Sequence, residues 1–163
     1  MKIEYENRWF KVIKDGDYHF LKENGSDNGA IVIAIVDGYM VFVNIYRPVH
    51  KLHLIELPRG YGDLGESSRL CASRELQEET GHRFESEKFK KIGVVRPNSA
   101  ILSSSVSVYL VESLENISSR KIDSEVSSIK YISEQKIYKE ISSGRISDGM
   151  TLSALALYWA YKK

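Results

Sequence analysis

The chain carries the segment Leu57-Pro58-Arg59-Gly60-Tyr61-Gly62-Asp63-Leu64-Gly65-Glu66, which continues through Ser67–Ser73 into Arg74-Glu75-Leu76-Gln77-Glu78-Glu79-Thr80-Gly81. Its first part contains three glycines and a proline, residue types that are typical of a tight loop. Ser67 is a residue type that caps helix N-termini, and Gly81 can adopt the left-handed conformation that ends a helix. The segment therefore predicts a glycine-rich loop followed by one helix.

Three glutamates recur within the predicted helix. Glu75, Glu78 and Glu79 lie at positions i, i+3 and i+4, so their carboxylates share one helix face. Mg²⁺ and Mn²⁺ take carboxylate oxygens as ligands, which makes this face a candidate metal site. A solvated acidic surface is the alternative interpretation. The glycine loop favours the metal site, as does Glu66, which precedes Arg74 at a spacing that allows the two to pair.

The spacing of the glycines, the arginine and the glutamates resembles the signature of a known family. It reproduces the Nudix box, G-x5-E-x7-R-E-U-x-E-E-x-G-U, in which U is a bulky aliphatic residue. The matching residues are Gly60, Glu66, Arg74-Glu75-Leu76, Glu78-Glu79 and Gly81. Only the final position departs from the pattern, because His82 stands where an aliphatic residue is usual.

Segments around the box resemble the ADP-ribose pyrophosphatase-like Nudix enzymes. Val43–Val49 is similar to their QYR-P segment, and Ile55–Gly60 is similar to their ELPAG segment with Arg59 in place of alanine. The resemblance implies an α/β (α+β) fold, the Nudix α/β/α sandwich with a mixed sheet. It implies a Nudix hydrolase domain over residues 29–163 and a short N-terminal β extension over residues 1–28, through which such enzymes form homodimers.

The resemblance also implies a metal site and a reaction. Glu75 and Glu79 would be the principal ligands of Mg²⁺, and Glu78 would be a third ligand. Gly60 would supply a backbone carbonyl. Mn²⁺ could substitute for Mg²⁺. The implied reaction is hydrolysis of a nucleoside diphosphate linked to another group, with ADP-ribose or a nucleotide sugar as the first expectation. ADP-ribose would give AMP and ribose 5-phosphate.

Other box residues are implied to have structural or catalytic roles. Arg74, tied to Glu66, would hold the catalytic helix and loop in shape, and Gly81 would end the helix. The general base of the subgroup is usually a glutamate after the box, but residues 96–111 contain no carboxylate. Glu125, with Asp123 beside it, falls where related enzymes carry an acidic loop, so the resemblance makes Glu125 the candidate base, and metal-bound hydroxide without a carboxylate is the alternative.

Several further polar residues have weaker assignments. Arg47 is a candidate for binding substrate phosphate or the partner subunit, and Arg59 for reaching a substrate phosphate; a surface or solvated-loop role is the alternative for each. His50 and His53 lack the spacing of a zinc site and are expected to face solvent. Cys71 is expected to be packed rather than nucleophilic.

Around the box, strands and helices alternate. The run Ala30–Val36 is apolar at every position, which predicts a strand covered on both faces. Leu70 and Leu76 are expected to point from the box helix towards a core. The other predicted elements are strands at Ile3–Ile13, Tyr18–Leu21, Tyr39–Tyr46, Phe89–Val95, Ser103–Val111 and Ile129–Ile132, a polar loop at Glu112–Ser128, a helix from Ser133 to Gly144, and a helix at Met150–Tyr161 capped by Asp148.

Length and composition limit the class of protein. The chain has 163 residues, enough for one domain with a full core. A net charge of +1 gives no field that would attract nucleic acid or an anionic membrane. One cysteine excludes an internal disulfide, and the longest apolar stretches are too short to cross a bilayer. We expect a cytoplasmic protein that binds a small-molecule nucleotide.

Two alternatives remain open. A Nudix-fold sensor would bind a nucleotide without hydrolysis, but such proteins usually have degraded boxes, and this box is intact. Another Nudix substrate, a damaged nucleoside triphosphate or a dinucleoside polyphosphate, is compatible with Arg59 and with the altered stretch at residues 96–105.

Overall fold

A computed structural model describes residues 1–113 and 123–163. Helices lie on both sides of a mixed sheet, as the sequence predicts. The elements are β1 (Lys2–Glu6), β2 (Phe10–Asp15), β3 (Tyr18–Glu23), β4 (Ala30–Val36), β5 (Tyr39–Arg47), β6 (Leu52–Glu56), β7 (Arg59–Gly60), α1 (Ser68–Thr80), β8 (Lys90–Val95), β9 (Val106–Ser113), β10 (Val126–Ser133), α2 (Glu134–Ser142) and α3 (Gly149–Tyr161).

The central sheet has the strand order β10-β5-β4-β9-β8. β4 and β9 are parallel, whereas β10–β5, β4–β5 and β8–β9 are antiparallel. β4 and β5 pair only beside the turn that joins them, at Ile35–Met40 and Val36–Tyr39. Farther from the turn the two strands separate, and β6 pairs with β5 while β7 pairs with β4. This separation brings the two ends of the Glu56–Gly60 segment into the middle of the sheet.

Each face of the sheet has its own core. Ile31 and Ile33 belong to the apolar cluster shared with α2 and α3. The alternate residues Ala30, Val32 and Ala34 belong to the cluster shared with α1. The uniformly apolar sequence of β4 follows from this double coverage, since neither face of the strand meets water.

The orientation of α1 differs from the prediction at one position. Leu76 is fully buried, as expected, but Leu70 is 51% exposed and does not point into the core. Cys71 and Ala72 are fully buried instead. Leu70 lies six residues before Leu76, a spacing that puts the two side chains about 120° apart around a helix, so Leu70 falls outside the buried face that Ala72, Leu76 and Thr80 share.

The N-terminal strands form a separate antiparallel sheet in the order β1-β2-β3. The single strand predicted over Ile3–Ile13 is wrong, because the chain turns between Glu6 and Phe10. Asn7 Oδ1 accepts hydrogen bonds from the backbone N–H groups of Trp9 (2.8 Å) and Phe10 (2.9 Å), which stabilises this turn.

Other element boundaries shift by a few residues. β9 begins at Val106 and continues to Ser113, and β10 begins at Val126, so both strands enter the predicted polar loop. Residues 114–122 of that loop lie outside the described residues. Asp148 caps α3 as predicted, accepting from Thr151 N at 2.8 Å.

Within residues 1–113 and 123–163, none of the helices is both long and apolar enough to span a membrane.

Candidate functional site

The two ends of α1 are fixed as the sequence predicts. Ser67 Oγ accepts a hydrogen bond from Leu70 N at 3.3 Å, and Gly81 adopts φ 74° and donates its N–H to Gln77 O. These caps set where the helix begins and ends. They therefore set the rotation of its glutamates relative to the sheet.

Arg74 connects α1 to the loop that precedes it, Tyr61–Glu66, which we call the box loop. Its guanidinium donates to Glu66 Oε1 at 3.1 Å, to Glu66 Oε2 at 3.0 Å and to the backbone oxygen of Tyr61 at 3.0 Å. The hydrogen bond with Arg74 lowers the pKa of Glu66 below its ordinary value. The predicted pairing of Glu66 with Arg74 is present, and it holds the loop against the helix.

Arg74 also reaches the glutamate face. Its Nη1 lies 2.7 Å from Glu75 Oε1 and 2.8 Å from Glu78 Oε2. The sequence places Arg74 at the edge of this face, whereas the structure places its guanidinium between two of the carboxylates. In the described parts of the chain, no three His, Cys, Asp or Glu side chains converge as a metal-holding group. Two of the three glutamates are instead paired with Arg74.

Glu75 lies against the backbone of Gly60. A Cβ placed on Gly60 would overlap the Glu75 carboxylate, which would have to move to make room for it. Burial is the main cause that raises the pKa of Glu75 above its ordinary value, against the opposing effect of Arg74. The carboxylate is thus held in a partly desolvated position beside the main chain.

Glu79 is the most buried of the three glutamates. Its side chain accepts a hydrogen bond from the backbone N–H of Arg59 at 3.1 Å. Burial, aided by repulsion from Glu75, raises the pKa of Glu79 to about 8. Two desolvated carboxylates on one helix face offer oxygen donors, which suit a hard divalent cation. Glu75 and Glu79 therefore fit the metal site that the sequence predicts, and Glu78 lies exposed beside them. The Gly60 carbonyl accepts a contact from Cys71 Sγ at 3.6 Å, and its role as a metal ligand stays a prediction.

A buried ion-pair cluster lies next to the glutamates, and sequence analysis did not identify it. Glu56, whose side chain is 1% exposed, accepts two hydrogen bonds from Arg47, at 2.8 and 2.6 Å. Arg59 Nη2 lies 2.9 Å from the same carboxylate. The hydrogen bond with Glu56 raises the pKa of Arg47. Arg47 and Arg59 are thus neither solvated loop residues nor isolated surface arginines. The available signal was an acidic residue within an otherwise apolar strand end, Leu54–Leu57.

The cluster borders a cleft of about 380 Å³. Its lining includes Arg47, His50, Glu56, Arg59 and Asp148. The lining holds two arginines and two carboxylates, Glu56 and Asp148, so Arg47 and Arg59 are the groups in the cleft that can contact an anion. Because the backbone N–H of Arg59 binds Glu79, the cleft and the glutamate face share one residue.

The candidate base lies near the same helix. Asp123 N donates to Glu78 O at 2.7 Å, which attaches the segment before β10 to the helix. The Glu125 N–H donates to Asp123 Oδ1 at 3.2 Å, and the Glu125 side chain is exposed. The structure therefore brings this segment to the box helix but shows no contact of the Glu125 carboxylate with the other described glutamates.

The remaining sequence candidates have packing or surface positions. Cys71 is fully buried, and burial raises the pKa of its thiol to about 12. His82, at the departing box position, is fully buried and its Nε2 lies 3.0 Å from the hydroxyl of Tyr131. His50 and His53 are exposed, as expected.

Comparison with known proteins agrees with this geometry. A family model for the NUDIX domain matches residues 27–149. The ADP-ribose pyrophosphatase of Bacillus subtilis (strain 168) is 30% identical over 95 residues, which are 57% of this chain and 50% of that protein. The chain thus matches half the length of this relative, and the match bears out the resemblance to the ADP-ribose pyrophosphatase-like members.

Solved structures share the fold. A structure described as an ADP compounds hydrolase has a TM-score of 0.78 at 17% identity and covers 98% of this chain and 90% of its own. A NUDIX hydrolase from Nitrosomonas europaea has a TM-score of 0.61 at 19% identity, covering 83% and 89% respectively. With the box residues, the capped helix and the family match over residues 27–149 together, the chain belongs to the Nudix family.

Proposed function

We propose that the protein is a divalent-metal-dependent hydrolase of a nucleoside diphosphate linked to another group, with ADP-ribose or a nucleotide sugar as its substrate. One observation carries the proposal: the desolvated carboxylates of Glu75 and Glu79 lie beside a cleft with two arginines. An anionic substrate in this cleft would have its diphosphate next to the acidic helix face.

Glu75, Glu79 and the carbonyl of Gly60 would hold the metal, with Glu78 as a further ligand once Arg74 releases it. Mg²⁺ is the proposed ion and Mn²⁺ its substitute. When bound, the ion neutralises diphosphate charge and lowers the pKa of a coordinated water. Burial disfavours the charged form of the Glu75 and Glu79 carboxylates, as their raised pKa values indicate. A bound cation would stabilise that charged form, so both carboxylates fit the role of metal ligand.

The chain's other residues would bind, orient and transfer a proton. Arg47 and Arg59 would bind the substrate phosphates, and the buried Nε of Arg59 has no hydrogen-bond partner among the described residues. Arg74 would keep the box loop and helix in register. Glu125 would accept the proton of the attacking water, while the phosphorus–oxygen bond breaks and the departing phosphate monoester takes the bridging oxygen.

The relatives support the choice of substrate. The named Bacillus subtilis relative is an ADP-ribose pyrophosphatase, and the chain shares part of its sequence. By extension we propose that ADP-ribose is cleaved to AMP and ribose 5-phosphate. Neither nucleic acid nor a membrane is a proposed partner, and a cytoplasmic location is proposed.

We also propose a homodimer formed through the N-terminal sheet. Ile3, Tyr5, Trp9 and Tyr18 are large apolar or aromatic side chains that this sheet leaves exposed. Burying them against a second copy would remove apolar surface from water. Sedimentation velocity of the full chain measures this directly.

A substrate panel tests the function. The protein would be assayed with Mg²⁺ on ADP-ribose, ADP-glucose, GDP-mannose, NADH, a dinucleoside polyphosphate and nucleoside triphosphates, with chromatography of the products. Turnover of ADP-ribose or a nucleotide sugar that needs the metal and is lost in Glu79→Gln supports the proposal. Faster turnover of triphosphates or dinucleoside polyphosphates would reassign the substrate, and tight nucleotide binding without any turnover would favour a sensor.

A further inference from the structure

A second set of contacts holds the box loop from the side opposite Arg74. Asn28, just before β4, donates its side-chain amide to the backbone oxygens of Asp63 at 3.0 Å and Glu66 at 2.7 Å. Both partners are carbonyl oxygens, so only the NH₂ group of the amide can make these bonds. Asn28 itself lies outside the Nudix box, whereas both acceptors lie within it.

The fit between the Asn28 segment and the loop is tight. Gly62 N donates to Gly25 O at 3.1 Å. A Cβ on Gly25 would come within 2.5 Å of Gly62 O, and a Cβ on Gly62 would overlap the Asn28 amide nitrogen. Gly25 also has φ 77°, a conformation that glycine adopts readily. The two backbones therefore touch with no space for side chains between them.

The same segment leads back to the N-terminal sheet. Glu23, the last residue of β3, accepts a hydrogen bond from Ser104 Oγ. Burial, followed by a hydrogen bond with Glu23, raises the pKa of the Tyr61 phenol. Because the backbone oxygen of Tyr61 binds Arg74, the N-terminal sheet is connected to the glutamate face through one loop residue.

We propose that Asn28 is a positioning residue that holds the box loop in place for catalysis, aided by the close packing of Gly25 against Gly62. The inference rests on the proposed function only for its effect on turnover. Without the amide, the carbonyls of Asp63 and Glu66 lose a shared donor, and the loop no longer presents Glu66 and Tyr61 to Arg74 in one geometry. Gly60 and the glutamates then lose their alignment, while Arg47 and Arg59 are held by Glu56 and keep theirs.

The test compares Asn28→Asp with Asn24→Asp. Asn24 lies in the same segment and donates its amide to the backbone oxygen of Arg8 at 3.0 Å, away from the box loop. In both variants a carboxylate replaces an amide donor that faces a carbonyl. Three quantities would be measured well below each melting temperature: backbone hydrogen exchange in residues 61–66, Mn²⁺ affinity, and kcat and KM on the best substrate of the panel.

For Asn28→Asp we expect exchange in residues 61–66 to accelerate at least tenfold, and Mn²⁺ affinity and kcat to fall by about tenfold or more with KM little changed. Asn24→Asp should resemble the wild type in all three. Equal exchange and equal Mn²⁺ affinity in the two variants would overturn the proposal. If Asn28→Asp does not fold, Asn28→Ala removes the donor without adding charge.

The exchange measurement needs neither substrate nor metal. If the wild type turns over nothing and binds no Mn²⁺, the proposed function fails, and loop exchange alone then decides the role of Asn28.

Discussion

The carboxylate of Glu75 occupies the space that a side chain on Gly60 would need, since a Cβ at that position would overlap the carboxylate carbon and both of its oxygens. The loop and the helix of the site are therefore matched in shape as well as in charge. The constraint at Gly60 is this close approach to Glu75 rather than backbone conformation, since the φ of Gly60 does not fall in the left-handed region.

Gly60→Ala should abolish turnover and weaken metal binding, because the methyl group would displace either the Glu75 carboxylate or the β7 backbone. Gly149→Ala is the matched control, since nothing lies within 4 Å of a Cβ there. Kinetics and Mn²⁺ titration of both variants measure the effect. Wild-type turnover in Gly60→Ala would contradict the placement of Glu75.

Glu79→Gln and Glu75→Gln should each lower kcat by at least a hundredfold while the fold is kept. An amide has nearly the same shape as a carboxylate, but it cannot supply the anionic oxygen that a hard cation prefers. Circular dichroism and thermal melting verify folding, and the substrate assay with Mg²⁺ measures turnover. A near-wild-type rate in either variant would refute the metal assignment.

Arg59→Ala should raise KM about tenfold with a small effect on kcat. A tenfold change corresponds to a loss of roughly 1.4 kcal/mol of substrate-binding free energy. The guanidinium lies on the cleft, but its backbone N–H, which binds Glu79, remains in the variant. Arg69→Ala, an exposed change on α1, is the control. An unchanged KM would remove Arg59 from the proposed phosphate contacts.

Glu56→Gln should lower the free energy of unfolding by about 3 kcal/mol, because it leaves Arg47 and Arg59 without the buried carboxylate that both contact. The surface pair Glu140–Arg145 is the comparison, and Glu140→Gln should cause no measurable loss. Urea denaturation of the two variants checks the difference. Similar losses would show that the Glu56 cluster acts as an ordinary surface network.

The Cys71 thiol should react with a disulfide reagent only when the protein opens. The residue is fully buried, and its pKa is raised to about 12, so the thiolate is scarce at neutral pH. Labelling should be slow in native buffer and rapid in denaturant. The absorbance of the thiolate that the reagent releases measures the labelling rate. Rapid native labelling would contradict this packing of α1 on the sheet.

Local signals predicted the box helix well. Ser67 and Gly81 occupy the capping positions, and the apolar run Ala30–Val36 is β4 with the same bounds. These features depend on neighbouring residues and on burial patterns, which a sequence displays directly. The prediction for Leu70 is wrong because six residues separate it from Leu76, a spacing that places the two side chains on different sides of a helix.

Long-range pairing explains what the sequence did not reveal. Glu56 meets Arg47 because β5 and β6 are adjacent, and it meets Arg59 because the chain crosses from β6 to β7 where β4 and β5 separate. Asn28 meets Glu66 only after the loop has folded over the start of β4. Arg59 is only three residues from Glu56, but neither helical nor strand periodicity predicts a contact across this turn of the chain. The contacts of Arg47 and Asn28 depend on how strands and loops pair.

The parallel pairing of β4 with β9 also has a consequence for folding order. It joins Ala30 to Ser107, and the segment enclosed between them contains the whole box. Closing so large a loop costs chain entropy before the contacts form, which slows folding. During synthesis, the strand beneath α1 lacks its parallel neighbour until Val106–Ser113 has left the ribosome, so a functional centre forms late, after most of the chain has been made.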